Sequence, residues 1–317
     1  MPSRLFRVAR PRTGLRASAA ATCLLLLAAL AAAQAPPHLA PTPARPTPSV
    51  SAPPAAAAQA PSPAATPPPP PPPSTQQLAA GHALFAKVVD ALGGETKART
   101  VKDVQTRGQV TAKTPEGEMT MEIQTAMIFP DRLSQQIDAP FGRVAMVATP
   151  AGAFVLGPNG SSDLPPQMRD ELLKQVQRVP LWLAQKVDDP KLSAAAVGSV
   201  KIGDVDAQIL DVRYENMSVK WFVDPKTYRI VRTYHTALGP NGKVVTISSD
   251  YSDYRTVSGF PVAHRLEVTT DGERDQTLTL DECKINAGID PKLFQKPPAP
   301  TPGPTAPPAE PPAKPGA

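Results

Sequence analysis

The clearest pattern in the chain is a strict alternation of apolar and polar residues in the segment EMTMEIQTAMIF, which begins at Glu118. Successive side chains of a β-strand point to opposite faces, so this alternation predicts a strand with one buried face. The buried face would carry Met119, Met121, Ile123, Thr125 and Met127. Similar patterns separated by turn sequences such as DPKT and DGE predict further strands at about 103–112, 132–138, 142–149, 152–157, 191–200, 205–213, 218–224, 229–238, 243–254, 262–270 and 275–285.

Helical spacing of apolar residues occurs in two parts of the chain. The segment QQLAAGHALFAKVVDALGG has this spacing and ends in two glycines, which are a typical C-terminal stop. The segment QMRDELLKQVQRV has the same spacing, and Asp163 is its predicted N-cap. Pro180 is expected to end this second helix and to begin a short third one in LWLAQKV.

The order of the predicted elements indicates the fold class. A helix is followed by several strands, two helices and a longer run of strands, and strands joined by short turns pair antiparallel. This order predicts a single α+β domain over 76–296. We expect a curved antiparallel sheet of about 11–12 strands, with the helices covering one of its faces.

The first 33 residues have the pattern of a secretory signal peptide. A basic stretch with five arginines precedes the apolar run CLLLLAALAAA, which ends in small residues. Ala31 and Ala33 fit the small residues of a cleavage site, so we expect cleavage after Ala33 and a periplasmic or secreted product. The alternative is a retained anchor, which would tether the protein to a membrane.

The same five arginines account for the net charge of the chain. The formal net charge is +5 at pH 7, and residues 1–33 contain no other charged side chain. The mature protein is therefore expected to be neutral. Basic residues in the predicted domain are interleaved with acidic ones, so the sequence gives no reason to expect nucleic acid as a partner.

Two proline-rich segments flank the predicted domain. Residues 34–75 consist mostly of Pro, Ala, Ser and Thr, and residues 297–317 have the same character. Such segments cannot bury enough apolar surface to fold, so we expect disordered spacers. The alternative interpretations are a stalk that holds the domain away from a membrane and a ligand for a proline-binding module.

The sequence contains no recognisable catalytic or metal-binding motif. Neither an H-E-x-x-H zinc motif nor a G-x-S-x-G nucleophile motif occurs, and no phosphate-binding loop is present. Cys283 is the only cysteine outside the predicted signal, so we expect no intrachain disulfide. The acids Asp281 and Glu282 directly before Cys283 are expected to raise the pKa of its thiol. We therefore expect no enzymatic activity, no cofactor and no metal.

The methionines are concentrated in the first group of strands. Met119, Met121, Met127 and Met146 are four of the seven methionines in the chain. Methionine side chains are flexible and polarisable, so such a face suits binding of flexible apolar ligands. A sheet with one buried face also needs such residues for its core, and the residues alone leave both interpretations open.

Several short motifs occur in the order that is found in a known family. They are the opening strands DVQTRGQVTAKTPEGEMTMEIQTAMIFPDRLSQQI, the hairpin WFVDPKTYRIVRTYH, the strand pair SSDYSDYRTVSGFPVAHRLEV and the closing segment INAGIDPKLF. Together they resemble the outer-membrane lipoprotein-sorting, or LolA-like, carriers over about 76–296. Both proline-rich arms depart from a minimal carrier of this family.

The resemblance implies an unclosed β-barrel with helices covering its concave mouth, the Pro180 break lying in a helical lid, and a hollow that receives acyl chains. The chain is then expected to be an exported, non-enzymatic and monomeric carrier of lipid or lipoprotein acyl chains. The alternative is a cell-envelope interaction module that uses the sheet as a scaffold and the proline-rich arms as spacers. The residues expected to line the hollow are Met119, Met121, Ile123, Met127, Val144, Met146, Trp182, Leu183 and Trp221.

Overall fold

The structure, a computed structural model, describes residues 71–297 apart from 115–116, 141 and 240–241. The predicted signal peptide, most of the first proline-rich segment and the tail after 297 lie outside the described residues. The elements in chain order are α1 (Thr75–Ala91), α2 (Glu95–Ala98), β1 (Asp103–Thr114), β2 (Gly117–Ile128), β3 (Arg132–Ala139), β4 (Gly142–Thr149), β5 (Gly152–Gly157), β6 (Gly160–Asp163), α3 (Pro166–Gln177), α4 (Pro180–Ala184), β7 (Leu192–Ile202), β8 (Val205–Tyr214), β9 (Met217–Val223), β10 (Ile230–Leu238), β11 (Val244–Val257), β12 (Phe260–Thr270), β13 (Glu273–Ile285) and a 3₁₀ helix (Pro291–Phe294).

Thirteen strands in the described part of the chain form one antiparallel sheet in the order β6-β5-β4-β3-β2-β1-β13-β12-β11-β10-β9-β8-β7. β6 and β7 are its two edges, so the sheet is not closed. The predicted α+β class with an unclosed antiparallel sheet is confirmed. The predicted count of 11–12 strands was too low, because the short β6 has the sequence GSSD and shows no apolar alternation.

The sheet curves strongly around helix α3. α3 contacts β3, β4 and β5 on one side and β10 on the other. Six strand-to-strand steps separate β3 from β10 in the sheet order. At about 4.8 Å per step a flat sheet would place these strands roughly 29 Å apart, whereas a helix with its side chains is only about 10–12 Å wide. The two halves of the sheet must therefore curve towards each other around the helix.

Two apolar clusters fill the concave side of the sheet. The first cluster joins inward side chains of β1–β5 and β10–β13 to Leu172 and Val176 of α3. The second cluster packs α1 and α4 against β7–β10. In this cluster the ring of Phe85 stacks on Trp221 with centroids 5.4 Å apart. The helices thus cover the concave face over most of its width.

A smaller apolar cluster lies on the convex side of the sheet. Ala126 and Val147 alternate with the inward-facing Met127 and Met146, so their side chains point outwards. They pack against the C-terminal segment, including Phe294 of the 3₁₀ helix. The closing segment therefore seals the outer face of β2, β4 and β5.

The start of α3 differs from the predicted one. The prediction that Asp163 is the N-cap is wrong, because Asp163 ends β6 and the helix has Pro165 at its N-cap. A residue that precedes proline avoids the helical conformation. Consecutive prolines therefore keep the chain extended until Pro166, the first helical residue. Asp163 instead forms an exposed salt bridge with Lys296 at 2.7 Å.

The break between α3 and α4 occurs where the sequence predicts it. Val179 has an extended backbone with φ −62° and ψ 124°, and Pro180 is the first residue of α4. The missing amide hydrogen of proline is harmless at that position, since the first turn of a helix leaves its amides unpaired. Among the helices in the described ranges, none has both the length and the apolar character to cross a membrane.

Candidate functional site

A cavity of about 120 Å³ lies between the concave face of the sheet and the junction of α3 and α4. We refer to residues 166–184, which contain α3 and α4, as the lid segment. Most of the cavity wall is apolar, with polar groups concentrated where the lid segment meets β10. The lining residues are Leu92, Val104, Thr106, Thr125, Met127, Gln175, Arg178, Val179, Pro180, Leu181, Val219, Ile230, Thr233, His235, Tyr251, Tyr254, Pro261, Val262, Ala263, Cys283 and Ile285.

The volume of the cavity limits what it can hold in this conformation. A cavity of about 150 Å³ accommodates a molecule of the size of benzene, and pockets for drug-sized ligands are typically about 300–1,000 Å³. The cavity here, at about 120 Å³, therefore matches one small apolar group. A longer apolar molecule does not fit in this volume.

The lid segment is held against the sheet by both apolar and polar contacts. Leu172 and Val176 are buried against the inner face of the sheet. Arg178 donates a hydrogen bond from Nη2 to the carbonyl oxygen of Thr236 in β10 at 3.3 Å. After the lid segment, Gln185 donates from Nε2 to the carbonyl oxygen of Val101 at 2.8 Å. These contacts hold the lid segment over the cavity.

A buried ion pair lies at the polar end of the cavity. Arg178 donates from Nη1 to a carboxylate oxygen of Glu171 at 2.8 Å, and the two side chains are only 9% and 6% exposed. Lys174 approaches the other carboxylate oxygen of Glu171 at 3.5 Å. Burial lowers the pKa of the Arg178 guanidinium, and the Glu171 carboxylate opposes this effect. Arginine nevertheless stays charged in proteins.

His235 lies on β10 beside this ion pair and is only 6% exposed. Burial lowers its pKa to about 3, and the positive charge of Arg178 acts in the same direction. The imidazole is therefore neutral at neutral pH, with one ring nitrogen as a donor and the other as an acceptor. His235 thus adds hydrogen-bonding capacity to the cavity without adding charge.

Three buried polar atoms of the cavity wall have no hydrogen-bond partner among the described residues. They are Gln175 Oε1, Arg178 Nε and His235 Nδ1. Buried polar groups in folded proteins are nearly always hydrogen-bonded. Gln175 and Arg178 are three positions apart on one helical surface, and Arg178 reaches β10 next to His235. The three atoms therefore form one polar region at the inner side of the lid.

Three hydroxyl groups elsewhere in the wall have partners among neighbouring protein atoms. The hydroxyls of Thr233 and Tyr251 are 3.3 Å apart, and the hydroxyl of Tyr254 donates to the carbonyl oxygen of Ile230 at 2.5 Å. Burial raises the pKa of the Cys283 thiol to about 11, and the charge of Glu282 adds to this shift. The predicted direction for Cys283 is confirmed. The described ranges contain no cluster of three or more His, Cys, Asp or Glu that could hold a metal.

The structure places the predicted ligand-binding residues in several surroundings. Met127 lines the cavity. Met121, Ile123 and Met146 belong to the first apolar cluster and Met119 packs against it, while Val144 is buried on β4. Trp182, Leu183 and Trp221 belong to the second cluster, in which Trp182 meets the ring edge of Tyr214 at a centroid distance of 5.1 Å. The role of all nine in ligand binding stays a prediction.

Motifs and alternation in the sequence did not predict Gln175, Arg178 and His235 as site residues. A signal for them is present in the sequence. His235 lies two positions from Thr233 and from Ala237 in β10. Because side chains in a strand alternate between faces, His235 shares their buried face. In KQVQRV, Gln175 and Arg178 adjoin the apolar stripe of α3. A polar side chain beside a buried apolar stripe is informative, because a buried polar group needs a hydrogen-bond partner.

Comparisons with known proteins find likenesses only among solved structures, since no family model and no curated protein matches the chain. A DUF1329 family protein from Desulfovibrio piger has 12% identity and a TM-score of 0.47, over 69% of this chain and 97% of that chain. A protein domain described as outer membrane lipoprotein-sorting, from Vibrio parahaemolyticus, has 12% identity and a TM-score of 0.45, over 69% and 97%. A LolA superfamily protein from Nitrosomonas europaea has 13% identity and a TM-score of 0.46, over 68% and 98%.

Two of these structures, the lipoprotein-sorting domain and the LolA superfamily protein, come from the family that the sequence motifs resemble. All three TM-scores are below 0.5 and the identities are 12–13%. At this level the likeness assigns no ligand and no partner to this chain. The function of this chain therefore has to be inferred from its own cavity and lid segment.

Proposed function

We propose that this chain is an exported, non-enzymatic carrier that binds the acyl chains of a lipid or lipoprotein between its curved sheet and the lid segment. The observation that carries the proposal is the apolar cavity of about 120 Å³ beneath the junction of α3 and α4. Each methylene group that leaves water for such a surface contributes about 0.8 kcal/mol. A partly inserted acyl chain therefore gains enough free energy to compete with closure of the lid.

Entry of an acyl chain would separate the lid segment from the sheet. The apolar contacts of Leu172 and Val176 with the sheet would then be exchanged for contacts with the ligand. Because apolar contacts replace apolar contacts, the net cost of opening is small compared with exposing these side chains to water. The short helices and the Pro180 break provide a place where the lid segment can bend.

The proposal is tested by measuring lipid binding directly. Native mass spectrometry of gently purified protein should show co-purified lipid, and a fluorescent dodecanoyl probe should bind saturably. Val262 lines the cavity and is 7% exposed, so Val262→Phe places a ring in the space for the ligand. We expect probe affinity to fall at least about tenfold, because fewer methylene groups can be buried.

The matched control is Val244→Phe, since Val244 is 70% exposed and lies outside the cavity wall. This variant should bind the probe like the unmodified chain, and thermal unfolding should show that both variants are folded. The proposal fails if no lipid co-purifies and no probe binds. It also fails if the two phenylalanine variants bind the probe equally well.

The interaction module remains the second candidate because of the edge strand β7. β7 is hydrogen-bonded to a neighbour on one side only, and its outer residues Val197 and Val200 are 37% and 42% exposed. An unpaired edge with exposed apolar residues is suited to addition of a partner strand. Deleting 36–73 and 297–317 tests the arms, and Val200→Lys tests the edge of β7. Probe binding should survive both changes in a carrier, whereas an interaction module should lose capture of an envelope protein in at least one of them.

A further inference from the structure

We propose that Gln175, Arg178 and His235 form a polar subsite that hydrogen-bonds the uncharged head group of the acyl ligand, with an amide as the preferred class. This inference rests on the proposed acyl-binding function and adds the chemistry of the head group to it. The subsite lies where the lid segment meets β10, at one side of a cavity whose wall is mostly apolar. An amphiphilic ligand fits such a wall because it has an apolar chain and one polar end.

The positions of the three residues support a single subsite. Arg178 and Gln175 lie one helical turn apart at the end of α3. The guanidinium of Arg178 is anchored by Glu171 and by the carbonyl oxygen of Thr236, the residue next to His235 in β10. The side chains of Arg178 and His235 are both more than nine-tenths buried. Their free atoms are therefore shielded from bulk water, and both residues line the same cavity.

The hydrogen-bonding capacity of the subsite includes donors and an acceptor. Arg178 Nε–H can only donate, and Gln175 Oε1 can only accept. Whichever tautomer His235 adopts, these two atoms together require a ligand with both an acceptor and a donor. An amide has both in one planar group, whereas an ester offers acceptors alone and would leave Gln175 Oε1 without a partner.

The charge of the subsite disfavours an anionic head group. Arg178 is already paired with the Glu171 carboxylate at 2.8 Å, and His235 is neutral. A carboxylate would share the guanidinium with Glu171, lose its hydration and place two negative charges on one cation. Lys174 offsets part of this repulsion from the other side of Glu171. A neutral amide brings no second negative charge to Arg178 and is therefore not repelled by Glu171.

The test compares head groups on a constant chain length. Dodecanamide, methyl dodecanoate and dodecanoate compete at pH 7.4 with the fluorescent dodecanoyl probe for the full-length protein. We expect dodecanamide to displace the probe at a concentration at least about fivefold lower than either of the others, since each neutral hydrogen bond contributes modestly in net terms. Gln175→Leu removes the acceptor and should abolish the preference for the amide over the ester.

The matched control is Gln177→Leu, the same change two positions along α3 at a residue outside the cavity wall. This variant should keep the amide preference. Gln175→Leu replaces a buried atom that lacks a partner by an apolar group, so it should unfold no earlier than the unmodified chain. Thermal unfolding thereby separates loss of selectivity from loss of the fold. His235→Phe, a second variant, should reduce the preference.

Two results would overturn the inference. If the three compounds displace the probe equally well from the unmodified chain, the polar atoms bind water alone and do not distinguish between head groups. If Gln175→Leu keeps the preference for the amide over the ester, the subsite lies elsewhere. In both cases the acyl chain still binds, so the proposed carrier function stands. If neither the probe nor any of the compounds binds, the carrier function and the subsite fail together.

Discussion

At the scale of single residues, the ion pair of Glu171 and Arg178 has the largest expected effect on stability. Its side chains are 6% and 9% exposed, the lowest values for any salt bridge within the described ranges. Removing one partner of a buried pair leaves an uncompensated charge and typically costs about 3–5 kcal/mol. We therefore expect Glu171→Gln to lower the free energy of unfolding by about this amount, measured by urea denaturation.

The matched control for this prediction is Glu282→Gln. Glu282 pairs with Lys284 at 2.8 Å, but the two side chains are 51% and 56% exposed. Solvent screens such a pair, so its loss should change the free energy of unfolding by about 1 kcal/mol or less. Equal effects of the two substitutions would show that Arg178 is not effectively buried in solution.

Residue patterns predicted which side chains face inwards but not what covers them. Alternation in β2 correctly places Met121, Ile123 and Met127 on the buried face. Of these, only Met127 lines the cavity, because the other two lie further along the strand in the first apolar cluster. Trp221 is stacked on Phe85 of α1, a helix that is distant in sequence. Period-2 patterns contain no information on such long-range contacts.

At the scale of elements, α1 packs unusually close to β7 through Gly81. A Cβ atom added to Gly81 would lie 2.3 Å from the carbonyl oxygen of Ala194 and 2.5 Å from Cα of Ala195. Both atoms belong to the backbone of β7, so the helix would have to move away from the strand. Overpacking of this kind typically costs about 1–3 kcal/mol. We expect Gly81→Ala to lower the free energy of unfolding by about 2 kcal/mol, although alanine favours helix formation.

The control for Gly81→Ala is His82→Ala at the adjacent, exposed position of α1. Exposed substitutions away from special contacts usually change stability by about 0.5 kcal/mol or less. Chemical denaturation of both variants provides the measurement. If Gly81→Ala proves neutral or stabilising, α1 does not sit against β7 as the structure shows.

Element boundaries were largely predictable, and the exceptions have local causes. Strong alternation and turn residues located all of the long strands to within a few residues. β6 was missed because its four residues are small, polar and fully exposed. The wrong N-cap at Asp163 arose because the extended conformation imposed by Pro165 and Pro166 overrides the capping preference of aspartate.

At the scale of the whole molecule, the pairing of β1 with β13 joins the two halves of the sheet. Val104 lies opposite Ile285 and Val110 opposite Leu278 in this pair, so strands from the two ends of the domain are neighbours. No local sequence pattern encodes this pairing, because the two strands lie at opposite ends of the domain sequence. The same pairing brings Cys283 of β13 and Val104 of β1 into the wall of the cavity.

Opening of the lid segment can be followed through the thiol of Cys283, which lines the cavity. Only the thiolate reacts with maleimide, and burial raises the pKa of Cys283 well above its ordinary value, to about 11. Labelling at pH 7.4 should therefore be at least about 100-fold slower than at an exposed thiol. Saturation with the dodecanoyl probe should slow it further, because the acyl chain occupies the space through which the reagent must pass.

An exposed thiol in the same molecule provides the reference for this measurement. Val244→Cys introduces one at a position that is 70% exposed, and peptide mass spectrometry resolves its labelling from that of Cys283 and Cys23. The reference rate should not respond to the probe. If Cys283 reacts as fast as the reference thiol, the lid segment does not close the hollow. If the probe binds and leaves the Cys283 rate unchanged, acyl chains bind outside this cavity, since a ligand beneath the lid must shield the wall that it touches.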